Sequence, residues 1–259
     1  MDIASIGGIV VALLGILAGM MIEGGSIAQI TQPTAALIVI GGTMGAVMLQ
    51  FPLKIFLAAL QHMMKVFFSS GAEGEAILNQ LVTFANKARK SGIVSLDQDL
   101  GSITDPFFKQ ALMLAIDGTE PAEVRKIMQL ELDNKNEMEE KIPQVFEAAG
   151  GYSPTVGIIG AVLGLIQVMQ HLDDITEVGR GIAVAFVATI YGVALANLIF
   201  LPTAGKLKIR HREEQMVKEM ILEGVVSILE GMNPRMMETK LRTFLLDDKG
   251  ESSVAEAAA

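Results

Sequence analysis

Long stretches free of charged side chains alternate with shorter charged ones along this chain. Ile3 to Ile22 is one such stretch, closed by Glu23. From Gly24 to Leu53 no Asp, Glu, Lys or Arg occurs, and its apolar part is Pro33 to Phe51, after the polar run Ser26 to Gln32. Ala148 to Leu172 and Gly181 to Gly205 complete the set. About 20 apolar helical residues cross a ~30 Å hydrocarbon core. The pattern therefore predicts four spans, at 3–22, 33–51, 154–171 and 182–202. The first stretch is not a secretory leader in form. It lacks a basic flank, since Asp2 is the only charge beside Met1, and it outruns an h-region, so it reads as a retained helix.

The loops set the orientation. The short loops 23–32 and 172–181 share one side and carry Glu23, Asp173, Asp174 and Glu177 against the single Arg180. The other side has Lys54 and Lys65 after span 2, and Lys206, Lys208, Arg210 and Arg212 after span 4. The positive-inside rule puts that second side, with both termini, in the cytoplasm. The expected protein is all-α: a polytopic membrane protein with four transmembrane helices and a helical cytoplasmic domain. Its segments are 1–51 (spans 1 and 2), 52–153 (cytoplasmic), 154–203 (spans 3 and 4) and 204–259 (cytoplasmic tail).

Helical periodicity continues outside the spans. Ile77, Leu81, Phe84 and Ala88 share a face, and Ser91-Gly92 supplies a stop. Ser95-Leu96-Asp97-Gln98 has the form of a capping box, predicting a helix that starts at Ser95. Asp105-Pro106 predicts an N-cap and first-turn proline, with Phe107, Phe108, Ala111, Leu112 and Ala115 on one side until Gly118. Residues from Glu120 to Glu147 predict one long rod leading into span 3, with Pro143 as its kink point. In the tail, Met216, Met220, Val225, Ile228 and Leu229 repeat the pattern before a turn at Gly231 to Pro234. Residues 247–259 are polar or small and read as a disordered end. No convincing strand pattern or short-period repeat is present.

Composition narrows the function. Of 259 residues 51% are hydrophobic and only 19% charged, against about a quarter in soluble domains. The net charge of −9 argues against nucleic-acid binding. Absence of cysteine removes disulfides, thiolate nucleophiles, zinc–thiolate sites and iron–sulfur ligation. Neither a phosphate-binding glycine loop nor a His-Glu-x-x-His motif occurs. His62, His171 and His211 lie far apart, each at a membrane edge. A catalytic site, a metal and a cofactor are all unexpected.

A second absence is more informative. None of the four spans contains Asp, Glu, Lys or Arg. Intramembrane ionisable groups are the usual carriers in ion pathways. If the protein conducts an ion, the carboxylate that handles it belongs to another chain. The spans are instead rich in small residues at three- and four-residue spacing: Gly15 and Gly19; Gly41, Gly42 and Gly45; Gly157, Gly160, Ala161 and Gly164; Gly181, Ala185, Ala188, Gly192 and Ala196. Such rows let backbones approach in lipid, either within one subunit or around a partner's helix. Thr189 lies on the small face of span 4, where its hydroxyl can bond back to a helix carbonyl or line a wet path.

Four separated motifs now coincide with one family. They are Leu37-Ile38-Val39-Ile40-Gly41-Gly42-Thr43 with Phe51-Pro52, and Pro154-Thr155-Val156-Gly157-Ile158-Ile159-Gly160. The third is Ala188-Thr189-Ile190-Tyr191-Gly192 with Ala196-Asn197-Leu198 and Pro202. The fourth is Ile221-Leu222-Glu223-Gly224 with Glu230-Gly231-Met232-Asn233-Pro234-Arg235. Over nearly its whole length the chain resembles the flagellar motor stator A-subunit family, MotA/PomA, of the MotA/TolQ/ExbB superfamily. The resemblance implies a ring of five A-subunits in the bacterial inner membrane around paired helices of a peptidoglycan-anchored MotB/PomB-like subunit, which carries the ion-binding Asp. It also implies that ion flow generates torque on the rotor switch protein FliG through the cytoplasmic domain.

The resemblance maps site residues too. The family's torque-related charges, an Arg and an acid eight residues apart around a Gly, fall on Arg89 and Asp97, with Lys90 beside them. Asp97 stands where many members have Glu. The family's two prolines fall on Pro154, at the cytoplasmic start of span 3, and Pro202, at the end of span 4. Read alone, Pro154 is a first-turn proline after Ser153. Sodium-driven members resemble one another in a Thr seven residues after the opening Pro. Here that position is Ala161, while the shared Thr189 is present, which implies a proton as the ion. The related ExbB/TolQ energisers, driven by the proton gradient in an envelope process, are the alternative. They resemble three-span proteins with an extracytoplasmic N-terminus, and four spans count against them.

Overall fold

The structure is a computed structural model and describes residues 3–68 and 74–245. In chain order its elements are α1 (Ile3–Ile22), a short α2 (Ile27–Ile30), α3 (Pro33–Gln50), α4 (Leu53–Phe68) and α5 (Gly74–Ser91). A 3₁₀ segment (Ile93–Ser102) follows, then α6 (Pro106–Ile116), α7 (Pro121–Glu139), α8 (Lys141–Gln170) and α9 (Ile175–Ala194). A π-helical segment (Leu195–Phe200) leads into α10 (Leu201–Leu229), and α11 (Pro234–Arg242) ends the described chain. No strand occurs among the described residues. Four helical stretches are long and apolar enough to cross a membrane. The predicted disordered end, 247–259, lies outside the described residues.

Several boundaries have local causes. α7 ends at Glu139 and α8 starts at Lys141, but Glu140 between them keeps helical angles (φ −61°, ψ −26°), so the predicted rod from Pro121 to Gln170 is present with a one-residue break near its predicted kink. Pro143 explains the place, because its ring opposes the carbonyl four residues earlier, that of Glu139. α9 starts ahead of the predicted span 182–202. Asp174 caps it, accepting from Thr176 N at 2.8 Å and Glu177 N at 3.4 Å, so the connection shrinks to 171–174. The helix predicted to begin at Ser95 is instead the 3₁₀ segment, entered from Gly92 at φ +80°. Ser95 Oγ donates to the Gly92 carbonyl at 2.6 Å and so does not serve as an N-cap acceptor. The Asp105 cap forms as predicted, with Phe108 N donating to Asp105 Oδ1 at 2.8 Å and Pro106 in the first turn.

The chain forms two compact units, Met1–Ser70 with Glu139–Ile209, and Gly71–Met138 with Arg210–Ala259. In the first, α8 and α9 make an antiparallel hairpin on which α3 packs through Ala35 and Val39 against Val187 and Ala188. α4 seats Phe56 and Ala59 on Ile142, Val145, Phe146 and Ala149 of α8. Residues 53–68 and the start of α8 thus share a core with the spanning helices. α1 remains almost uncovered, and Gly15 and Gly19 face open space.

The second unit is built around one apolar core. Leu78, Leu81 and Phe84 of α5 meet Phe107, Phe108, Ala111 and Leu112 of α6, with Phe84 and Phe108 ring centres 5.8 Å apart. Val124, Met128 and Leu132 of α7, Met220 to Val226 of α10, and Met237 and Leu241 of α11 close it. α11, which periodicity alone left unassigned, starts at Pro234 behind Asn233, whose side chain accepts from Arg235 N at 3.0 Å.

Candidate functional site

The residues singled out in the sequence fall into two sets, one in the apolar spans of the first compact unit and a charged one in the second. The first set lies on the α8–α9 hairpin. Two glycine pairs set its spacing. A Cβ on Gly157 would stand 2.9 Å from the Ala188 carbonyl oxygen, and one on Gly192 only 2.6 Å from that of Ser153. About two helical turns along α8 toward the connection, Gly164 and Gly181 each leave less than 3 Å to the other's carbonyl oxygen. Small residues of spans 3 and 4 therefore pack on one another, and backbone meets backbone.

Pro154 sits inside α8, not in its first turn, because the helix begins at Lys141. Its missing N–H interrupts the ladder to Gly150. Beside it, Ser153 is fully buried and its hydroxyl donates across the hairpin to the Gly192 carbonyl at 3.0 Å. The π segment begins three residues after Gly192. Pro202 follows it, exposed, as the second residue of α10. Proline at 202 cannot donate to the Leu198 carbonyl, and a wider turn at 195–200 gives its ring room. Thr189 is half-buried and its hydroxyl donates to the Ala185 carbonyl at 3.1 Å, the local back-bond. Ala161 is a half-buried methyl group.

Two neighbours escaped the sequence reading. Ser153 bridges the helices at the level of Pro154. Tyr191 uses its hydroxyl twice, donating to the Ile30 carbonyl at 2.6 Å and accepting from Gln32 N at 3.3 Å. It thereby pins the α2–α3 connection to α9. The available signal was a phenol, one of only two in the chain, inside an apolar span. The histidines do not gather: His62 Nδ1 lies 2.8 Å from the Ala58 carbonyl oxygen and His171 Nδ1 3.1 Å from that of Gln167. No metal-holding cluster occurs among the described residues.

The second set lies at the end of α5 and on the 3₁₀ segment. Lys87 and Asp99 pair at 2.6 Å and fasten one to the other. Arg89, Lys90 and Asp97 are exposed and make no ion pair among the described residues. On the same unit, Glu223 accepts from Arg125 at 2.7 Å and from Lys240, tying α10 to α7 and α11. The Arg125 hydrogen bond holds the Glu223 carboxyl below the ordinary carboxylate range, with Lys240 adding to it against the opposing effect of burial.

Residues 6–92 match the motility protein A N-terminal family and residues 99–220 the MotA/TolQ/ExbB proton channel family. Motility protein A of Bacillus subtilis (strain 168) is 34% identical over 247 residues, covering 95% of this chain and 91% of that protein. The chain belongs to the motility protein A family. Chemotaxis protein PomA of Vibrio alginolyticus is 30% identical over 99% of this chain and 100% of its own. Among solved structures, that of C. jejuni MotAB matches with a TM-score of 0.89 at 32% identity, covering 94% of this chain and 96% of that one. The flagellar MotAB stator complex from Bacillus subtilis matches with a TM-score of 0.85 at 33% identity, covering 93% and 95%. As a motility protein A family member, the chain is a flagellar stator A-subunit, all-helical and membrane-embedded.

Proposed function

We propose that five copies of this chain surround the paired membrane helices of a MotB/PomB-like subunit, and that protons pass between the two proteins. One observation carries the reading: no Asp, Glu, Lys or Arg lies in any of the four spans. The proton-binding carboxylate must then come from the B-type subunit. Thr189 back-bonds to Ala185, and Ala161 offers a methyl group where a sodium site would use a hydroxyl. Sodium has to exchange its hydration shell for several oxygen ligands, whereas a proton needs only the carboxylate and a transient water contact.

In this reading both termini and the second unit face the cytoplasm of a bacterial cell, on the Lys206 to Arg212 side. Pro154 and Pro202 serve as the flexible points of the hairpin beside the ion path. Arg89, Lys90 and Asp97 form the charged face offered to the rotor switch protein FliG, where complementarity sets partner choice and rate. The deciding experiment is swimming speed against external sodium at fixed pH. A proton motor ignores sodium and stops when a protonophore collapses the proton gradient. Speed that tracks sodium and survives the protonophore refutes the proton assignment. Specific ion current through the A-subunit alone in liposomes refutes the shared channel.

A further inference from the structure

On the second unit, a depression of about 240 Å³ opens beside Arg89, where α5 ends and the turn after α10 begins. Ala85 and Ala88 of α5 leave the room, and Ile93, Leu229 and Met232 wall it with hydrocarbon. Gly92, at φ +80°, turns the chain off α5 and brings Ile93 to the edge. Among the described residues the only charged side chain lining the depression is that of Arg89, which is exposed and makes no ion pair with any of them. Lys87, two residues earlier, is taken by Asp99. An apolar hollow edged by a spare guanidinium complements an apolar side chain with a carboxylate nearby. On a helix those two groups stand together when they are three or four residues apart.

We propose that this depression is a socket for one apolar side chain on a helix of the rotor protein, with a carboxylate one turn away pairing with Arg89. The proposal rests on the reading of Arg89, Lys90 and Asp97 as the rotor face, and the socket is continuous with it through Ile93. The apolar anchor gives the contact a part that salt does not screen, while the surrounding charges act on encounter. A few buried anchors usually carry most of a protein contact, and losing one weakens it about tenfold or more.

The chain has no cysteine, so Ala88→Cys, assembled with a cysteine-free B-type subunit, places one reactive thiol per A-subunit at the socket. Alkylation with N-ethylmaleimide after assembly fills the socket without burdening folding. Binding to a cysteine-free rotor switch protein is then measured at low and raised salt. We expect unmodified A88C to bind like the parent and alkylated A88C about tenfold or more weaker at both salts. Arg89→Glu should weaken binding at low salt, with the difference shrinking as salt rises. Unchanged binding after alkylation, with R89E still defective, overturns the socket and leaves the rotor face standing. Unchanged binding in both overturns the rotor face and the socket with it. Faster alkylation, in the absence of rotor protein, when residues 246–259 are removed means that the chain's own acidic end fills the socket, and this also overturns the proposal.

Discussion

Adding one methyl group to Gly157 tests the packing of the hairpin most directly. The added Cβ would stand 2.9 Å from the Ala188 carbonyl oxygen and 3.2 Å from the Gly192 Cα, where ordinary contact begins at 3.4 Å. Both obstacles are backbone atoms, so no rotamer change relieves them. The helices must part locally by about 0.5 Å, the difference between 3.4 and 2.9 Å. Overpacking of this kind costs about 1–3 kcal/mol. Gly→Ala also returns about 0.5–1 kcal/mol of helix propensity, leaving a net loss of about 0–2.5 kcal/mol. Gly151, in the same helix with nothing within 4 Å of its Cβ position, is the control and should gain the propensity alone. The assay is thermal unfolding of the purified stator complex in detergent, with motility alongside. Gly157→Ala should lower the midpoint and impair swimming, while Gly151→Ala should hold or raise the midpoint. Equal midpoints for the two variants would refute a backbone-to-backbone hairpin at this level.

Glu223→Gln keeps the side chain's shape but removes its charge. Arg125 and Lys240 are nearly half exposed (47% and 41%), so screening trims two charge-assisted bonds to about 1–2 kcal/mol in total. Amide exchange in α11 should quicken about 5- to 30-fold. Because the folded Glu223 pKa is depressed, its contribution is complete above the unfolded carboxylate value, about 4.3, and is lost as pH falls below it. The gap between parent and E223Q should close on that acid side, and a gap that stays constant there contradicts the cause given. Thr43→Val replaces a fully buried hydroxyl that has no hydrogen-bond partner among the described residues. Its melting midpoint should be unchanged or higher, since an unmet buried hydroxyl costs about 1–3 kcal/mol. A clear drop would reveal a partner for that hydroxyl.

What was legible in the sequence follows from the strength of each local signal. Runs without charge announce spans because hydrocarbon tolerates little else, and α1 ends and α3 begins at the predicted residues. Asp105-Pro106 was legible because cap and proline impose the same start. Ser95 misled because a capping box is only a local bid. After Gly92 the chain takes a 3₁₀ course whose Leu96 is buried in the core, and that burial outweighs the cap. The glycine rows of spans 3 and 4 announced close packing, yet those of span 1 look the same in sequence and meet nothing. Composition cannot separate a row turned to its own chain from one turned outward. Ser153 and Tyr191 were hidden for a related reason, since their partners are backbone carbonyls 39 and 161 residues away, and every residue supplies a carbonyl.

Two helices whose backbones touch at four glycines cannot slide past each other without first separating, so the α8–α9 hairpin behaves as a single beam. Its hydrogen-bond ladders are interrupted at Pro154 on one helix and at Leu195–Phe200 on the other, with Gly192 and the Ser153 bridge between them. Both interruptions occupy the same stretch of the beam. Fewer regular backbone bonds therefore resist bending there than at the Gly164–Gly181 contact, where both helices are regular, so two local irregularities add up in one place.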